Sequence, residues 1–129
     1  MAYAINHIHL KSNDPKTSAD WWVQAFGFTI ASDTVRPVGD RFIAMDSPNG
    51  VRVNISEALP SAGPLAPGDA GVHEGLEHFG LDSEDIEADI ERLTALGTEV
   101  LQGPTEIGSL RVCFLRGPDN VRIELIQRL

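Results

Sequence analysis

The chain repeats itself, and that repeat restricts its possible folds more than any other feature. Ser47-Pro48-Asn49-Gly50-Val51-Arg52-Val53-Asn54-Ile55 and Gly117-Pro118-Asp119-Asn120-Val121-Arg122-Ile123-Glu124-Leu125 share a proline-containing turn, a Val-Arg pair and an alternating strand, at an offset of 70. Asn6-His7-Ile8-His9-Leu10 and Glu77-His78-Phe79-Gly80-Leu81 correspond at an offset of 71, and Gly27 and Gly97 at 70. Matches in one order and at nearly one spacing mark two copies of one supersecondary unit, each about 55 residues long. Module one spans roughly residues 4–57 and module two roughly 75–127, within a single domain covering 1–129.

The elements of each copy follow from local pattern. Ala4 to Lys11 and Leu76 to Leu81 are short β-rich runs. Asp14-Pro15 supplies a helix cap and a proline at the first helical position, and Trp21, Trp22, Ala25 and Phe26 recur at helical spacing before Gly27. The tryptophans read as helix packing against a sheet. In the second copy Ser83 or Asp85 caps Ile86 to Leu96, whose Ile86, Ile90, Leu93 and Leu96 share a face, and Gly97 ends it. Three strand candidates follow each helix, near 27–33, 40–46 and 51–57, then 98–102, 110–116 and 121–127. The expected fold is α+β, two tandem βαβββ modules whose curved mixed sheets enclose a metal or ligand cavity. Residues 58–74 between them are rich in Pro, Gly and Ala and form no regular element; a plain tether and a functional lid both fit.

Composition narrows the partners. A net charge of −9 repels a phosphate backbone, which argues against nucleic acid. No apolar run approaches the roughly 20 residues a membrane helix needs, and no leader-like segment opens the chain, so the expected location is cytoplasmic. The single cysteine, Cys113, sits in a strand-like run and reads as a small buried apolar residue.

The repeat also supplies a geometric argument for chemistry. Two similar modules paired about a pseudo-twofold axis bring equivalent residues together. His7 corresponds to His78 on the first strands, and Asn54 to Glu124 on the last. Glu124 has apolar flanks, and a buried carboxylate is costly unless paired, protonated or bound to metal. Two imidazoles and one carboxylate leave open positions on a metal, as a catalytic centre requires, and suit non-haem iron(II). His9 lies two residues after His7 and shares its side of the strand. It is open as an alternative ligand, a support for a ligand, an acid–base group or a structural histidine. His73, beside the linker, reads as surface or lid. Arg52 and Arg122 alternate with Val51, Val53, Val121 and Ile123 and are expected to face away from the ligand side. That conflicts with Asn54 and Glu124, which share their parity, unless a bulge separates them.

These motifs resemble the vicinal oxygen chelate superfamily, which includes glyoxalase I, extradiol dioxygenases, methylmalonyl-CoA epimerase, and fosfomycin and bleomycin resistance proteins. The resemblance rests on Asn6-His7-Ile8-His9-Leu10 with Asp14-Pro15, on Trp21-Trp22 through Phe26-Gly27-Phe28, on Glu77-His78-Phe79-Gly80-Leu81, and above all on Gly117 to Leu125. It spans nearly the whole chain and implies His7, His78 and Glu124 as ligands of a divalent metal. Iron(II) is favoured, with Mn, Zn or Ni as alternatives. It also implies paired βαβββ modules and a homodimer that binds a small-molecule substrate. Position 54 departs from the pattern: glyoxalases carry Glu there and epimerases Glu or Gln, whereas this chain has Asn54. The change removes a charged ligand and a possible general base.

The leading expectation is therefore a dioxygenase-type enzyme acting on an aromatic or enolisable, oxygen-chelating substrate, with His9 and Asn54 as candidate catalytic residues. A glyoxalase-type lyase or isomerase, or a fosfomycin-resistance-type transferase, is the second class. A non-catalytic drug-binding protein of bleomycin-resistance type is the third. Such proteins usually lack the ligand set, and fold alone does not choose among the three.

Overall fold

The structure, a computed structural model, describes residues 2–129. It contains the expected βαβββ order twice, as two four-stranded mixed sheets, each with one helix. The chain divides into two compact units, one ending at Ala66 and the other running Pro67–Leu129, so the boundary falls inside the Pro/Gly-rich linker.

Module one comprises β1 (Ile8–Lys11), α1 (Pro15–Phe26), β2 (Thr29–Val35), β3 (Arg41–Asp46) and β4 (Arg52–Ser56), with strand order β1-β4-β3-β2. The Asp14 side chain accepts from Thr17 N at 3.2 Å, and Pro15 takes the first helical position, where no backbone donor is missed. Gly27 ends the helix in the left-handed region, at φ 69°, which a residue with a Cβ would enter only under strain. Trp22 is fully buried with Ala19 and Ala25, and α1 packs on β2, β3 and β4. The opposing core residues Ile43, Met45, Val53 and Ile55 alternate on β3 and β4, as the two-residue strand period requires.

Module two repeats this with β5 (Phe79–Asp82), α2 (Ile86–Ala95), β6 (Glu99–Ile107), β7 (Leu110–Arg116) and β8 (Arg122–Arg128), in the order β5-β8-β7-β6. Of the two expected caps, Asp85 is the one used: its side chain accepts from Ala88 N at 3.1 Å, while Ser83 donates to Asp89 Oδ2. Ile86 and Leu93 are buried on the helix face that packs on β6, β7 and β8, where Cys113, Leu115, Ile123 and Leu125 form the core. Burial also raises the Cys113 thiol pKa, consistent with an inert core residue.

Both first strands are shorter than expected. Parallel pairing begins at Ile8↔Val53 in β1–β4 and at Phe79↔Ile123 in β5–β8, which leaves His7 and His78 at the residue just before each strand. β6 runs longer than expected, with register shifts between Val100 and Thr105.

Candidate metal-binding site

In a β-sheet, partner residues in register share a face. In module two, Gly80 pairs with Glu124 and Phe114 pairs with Glu124, so these residues lie on the face away from the core. Arg122 lies two residues before Glu124 on the same face. The expectation that Arg122 points away from Glu124 is therefore wrong. β8 pairs with β7 without interruption from Leu110↔Arg128 to Arg116↔Arg122, so no bulge separates them. What makes an inward arginine tolerable is its set of partners. Arg122 is 6% exposed, donates from Nη1 to the Ala70 carbonyl at 2.9 Å and from Nη2 to Gln102 Oε1 at 3.3 Å, and stacks 4.2 Å over the Phe114 ring. Arg52, its counterpart, likewise shares the face of Asn54, and its guanidinium pairs with Asp46 at 2.8 Å.

His78 stands at the centre of this face. Its Nε2 lies 2.8 Å from Glu124 Oε2, and its Nδ1 lies 2.9 Å from Glu77 Oε1. Phe114 meets its ring edge-on at 5.1 Å. Each ring nitrogen therefore faces a carboxylate oxygen. Glu77 in turn lies 3.5 Å from Arg122 Nε.

Module one carries the equivalent positions with different chemistry. His7 Nδ1 lies 2.8 Å from Asn6 Oδ1, so the residue before each repeat-equivalent histidine holds that histidine's Nδ1. Asn54 pairs with His9 across β1–β4 and with Ala44 across β3–β4. It is 9% exposed, and its Oδ1 is buried with no hydrogen-bond partner among the described residues. His9 Nε2 lies 2.7 Å from the hydroxyl of buried Ser56, which also accepts from Lys11 Nζ at 2.8 Å. Burial first, then the Lys11 charge and His7 and Arg36, hold the His9 pKa below the ordinary histidine value. Ser56 Oγ accepts from Lys11 Nζ and has the capacity to pair with His9 Nε2 in either tautomer of the neutral ring.

Of the five residues singled out in the sequence, the structure brings His78 and Glu124 into contact. It groups His7, His9 and Asn54 on the sheet face of module one. Among the described residues, His, Cys, Asp and Glu side chains form no group of three placed to hold a metal ion. The donor set nonetheless suits a divalent cation: an imidazole nitrogen meets a carboxylate, with a second carboxylate behind the ring, the usual arrangement around a metal-binding histidine. Sequence reasoning missed Glu77, Asn6 and the inward Arg122. The signal for the first two was an oxygen-bearing residue directly before each histidine. His73, read as surface or lid, is part of an ordered turn: its Nδ1 lies 2.8 Å from the Gly71 carbonyl and its Nε2 3.1 Å from the Leu76 carbonyl.

Comparison with known proteins agrees with this fold. Residues 4–125 match the model of the Glyoxalase/Bleomycin resistance protein/Dioxygenase superfamily, and the chain belongs to it. The family includes enzymes and small-molecule-binding proteins. No curated protein matches the chain. Among solved structures it is similar to a glyoxylase/bleomycin resistance protein/dioxygenase domain from Frankia sp. EAN1pec, with a TM-score of 0.81, 20% identity, and coverage of 100% of this chain and 94% of that one. It is also similar to the fosfomycin resistance protein FosX from Listeria monocytogenes, solved with Mn(II) and sulfate (TM-score 0.72, 19% identity, 100% and 95% coverage). A third is TnmS3, an antibiotic binding protein from Streptomyces sp. CB03234 (TM-score 0.69, 21% identity, 99% and 98% coverage). At these identities the likeness establishes the fold. No helix among the described residues is long and apolar enough to cross a membrane.

Proposed function

We propose that this chain is a divalent-metal-dependent enzyme acting on a small substrate with two neighbouring oxygens, with dioxygenase-type chemistry on an aromatic or enolisable compound. One observation carries the reading. The repeat-equivalent histidines His7 and His78 each have Nδ1 tied to the side-chain oxygen of the preceding residue. An imidazole held in this way offers Nε2 as its donor atom, and in module two that atom already meets Glu124. His7, His78 and Glu124 are the proposed ligands, with His7 supplied by the same chain or by a second copy in a homodimer.

A bound divalent ion would supply Lewis acidity and adjacent open positions, which suits iron(II), with Mn, Zn and Ni as alternatives. The surrounding residues bind and orient. An unsatisfied buried acceptor costs about 1–3 kcal/mol, so Asn54 Oδ1 favours a substrate that donates a hydroxyl proton to it. His9, whose pKa burial lowers, lies on the same face with one ring nitrogen held by Ser56 and the other free, among the described residues, to meet a substrate oxygen. No carboxylate stands at position 54 to take a proton from carbon, which disfavours the lyase and isomerase readings. A second reading, a protein that sequesters a drug-sized molecule, draws on the likeness to TnmS3.

The test is metal analysis of protein purified without chelators, followed by anaerobic iron(II) loading and an O2-uptake screen on catechols, quinols and 1,2-dicarbonyls. One equivalent of metal and uptake on one class support the enzyme. Failure to hold any divalent metal, with tight binding of an aromatic drug, moves the protein to the second reading. Light scattering is expected to give a dimer of the 14.0 kDa chain; a monomer across micromolar concentrations would refute a swapped site.

A further inference from the structure

We infer that Glu77 and Arg122 are positioning residues that lock His78, and that Arg122 staples the segment leading into it. The inference rests on the reading of His78 as a metal ligand. Arg122 touches both ends of the stretch 70–77: Nη1 donates to the Ala70 carbonyl at 2.9 Å, and Nε faces Glu77 Oε1 at 3.5 Å. Ala70 is itself buried. Between those anchors, the His73 ring bridges the Gly71 and Leu76 carbonyls. Just upstream, Gly68 lies against the turn at 118–120, where an added Cβ would come 2.3 Å from the Asp119 carbonyl oxygen. The second half of the linker is thus anchored on module two at Gly68 and Ala70 and braced internally by His73.

This seating fixes Glu77, and Glu77 fixes His78. A carboxylate at Nδ1 selects the ring orientation that turns Nε2 toward Glu124 and makes the imidazole a stronger donor. Phe114 completes the box, since it stacks on Arg122 and meets the His78 edge. Arginine is needed because one planar guanidinium must serve a carbonyl, an amide, a carboxylate and a ring face together. A lysine ammonium in its place reaches one of these at a time.

The experiment measures Co(II) affinity by calorimetry and His78 ring nitrogen shifts by 15N NMR in full-length protein. Glu77→Ala is expected to weaken Co(II) binding roughly 10- to 100-fold at unchanged stoichiometry, with the folded spectrum intact because Glu77 is partly exposed. Glu77→Gln, which keeps an acceptor oxygen, should restore most of that affinity. Arg122→Lys should weaken binding and speed amide exchange over 70–77. Co(II) affinity within twofold of the parent in Glu77→Ala would overturn the inference. If the parent chain takes up no Co(II), the metal reading fails. The positioning role is then decided by the NMR arm alone: His78 shifts unmoved in Glu77→Ala overturn it, and a redistribution of ring tautomers sustains it.

Discussion

The two modules match strand for strand, yet the faces they present differ in kind. Module two gives its histidine two carboxylates, Glu77 and Glu124, and a buried guanidinium behind them. Module one gives His7 an amide, Asn6, and places Asn54 where its twin has Glu124. It adds His9 beside Asn54, at the position where module two has Gly80. A Cβ at Gly80 would come 3.1 Å from Ile126 Cδ1 and 3.8 Å from Glu124 Oε2, so the absence of a side chain keeps the ground beside Glu124 open. The two modules share one hydrogen-bonded ladder, which strand pairing and core burial demand. The outward face carries no such demand, and there the modules differ. In module two it gathers carboxylates around a histidine; in module one it carries histidine and amide groups.

The largest effect that would break this contrast is on metal content. His78→Ala and Glu124→Ala should each abolish a stoichiometric divalent metal with little loss of fold, because both side chains lie outside the core. His9→Ala and Asn54→Ala should keep it and reduce turnover. Elemental analysis after desalting decides the point: a full equivalent of metal in Glu124→Ala would show that the anionic face is not the metal face, and metal loss in His9→Ala would mean that His9, not His7, is the ligand from module one.

Making module one resemble its twin sharpens the comparison. Asn54→Glu should bind metal at least as tightly as the parent, since it adds a charged oxygen where an amide stands. It should also depress O2 uptake by filling a position that substrate and O2 need. A rise in isomerase or glyoxalase turnover in Asn54→Glu would instead place the protein with that branch of its family. If neither metal content nor activity changes, Asn54 is not part of the site.

A smaller effect separates the linker segment of module two from the rest. Both nitrogens of His73 face carbonyl oxygens, and only the imidazolium can donate to both. Those bonds, with Asp69 and Glu77 nearby, raise the pKa of His73 above the ordinary histidine value. A group whose folded pKa is raised contributes stability that is complete below its unfolded value and is lost as pH rises through the folded one. Exchange at amides 71–77, corrected for intrinsic rates, should therefore quicken as pH rises above the ordinary histidine range, and His73→Gln should remove that dependence. Protection that is flat with pH in the parent would show that the clamp does not titrate there.

What the sequence made legible and what it hid follow one physical division. Helix limits were readable because Asp14-Pro15, Gly27, Asp85 and Gly97 act locally on their own backbone. The repeat was readable because the turn before β4 and the turn before β8 share one pattern. The inward Arg122 was hidden because its orientation depends on Phe114, Ala70 and Gln102, which come from distant parts of the chain; alternation alone sent it the wrong way. The first strands were drawn too long because their parallel pairing begins only at Val53 and Ile123 of the partner strands, and the local run of residues does not show that limit. Glu77 and Asn6 were visible as residues but not as partners, since adjacency to a histidine becomes a hydrogen bond only in one ring rotamer.

The smallest expected effect tests whether the preceding residue matters equally in both modules. Asn6 Oδ1 holds His7 Nδ1 at 2.8 Å, much as Glu77 holds His78. The bond in module one is exposed and has an amide acceptor, and among the described residues no arginine pairs with Asn6. Charge-assisted hydrogen bonds are roughly twice as strong as neutral ones, and water competes readily at an exposed site. Asn6→Ala should therefore weaken Co(II) binding by less than about tenfold, under about 1.4 kcal/mol, clearly less than Glu77→Ala. Asn6→Asp places a carboxylate at the same position, one methylene shorter than Glu77, and should match or exceed the parent. Calorimetry on the three variants side by side orders them. A loss in Asn6→Ala as large as that in Glu77→Ala would mean that the histidines are equally dependent on their neighbours and that the asymmetry of the two faces stops at Asn54 and Glu124. No loss at all in Asn6→Ala, with Asn6→Asp also unchanged, would place His7 outside the ligand set and leave module two to hold the metal with donors from elsewhere.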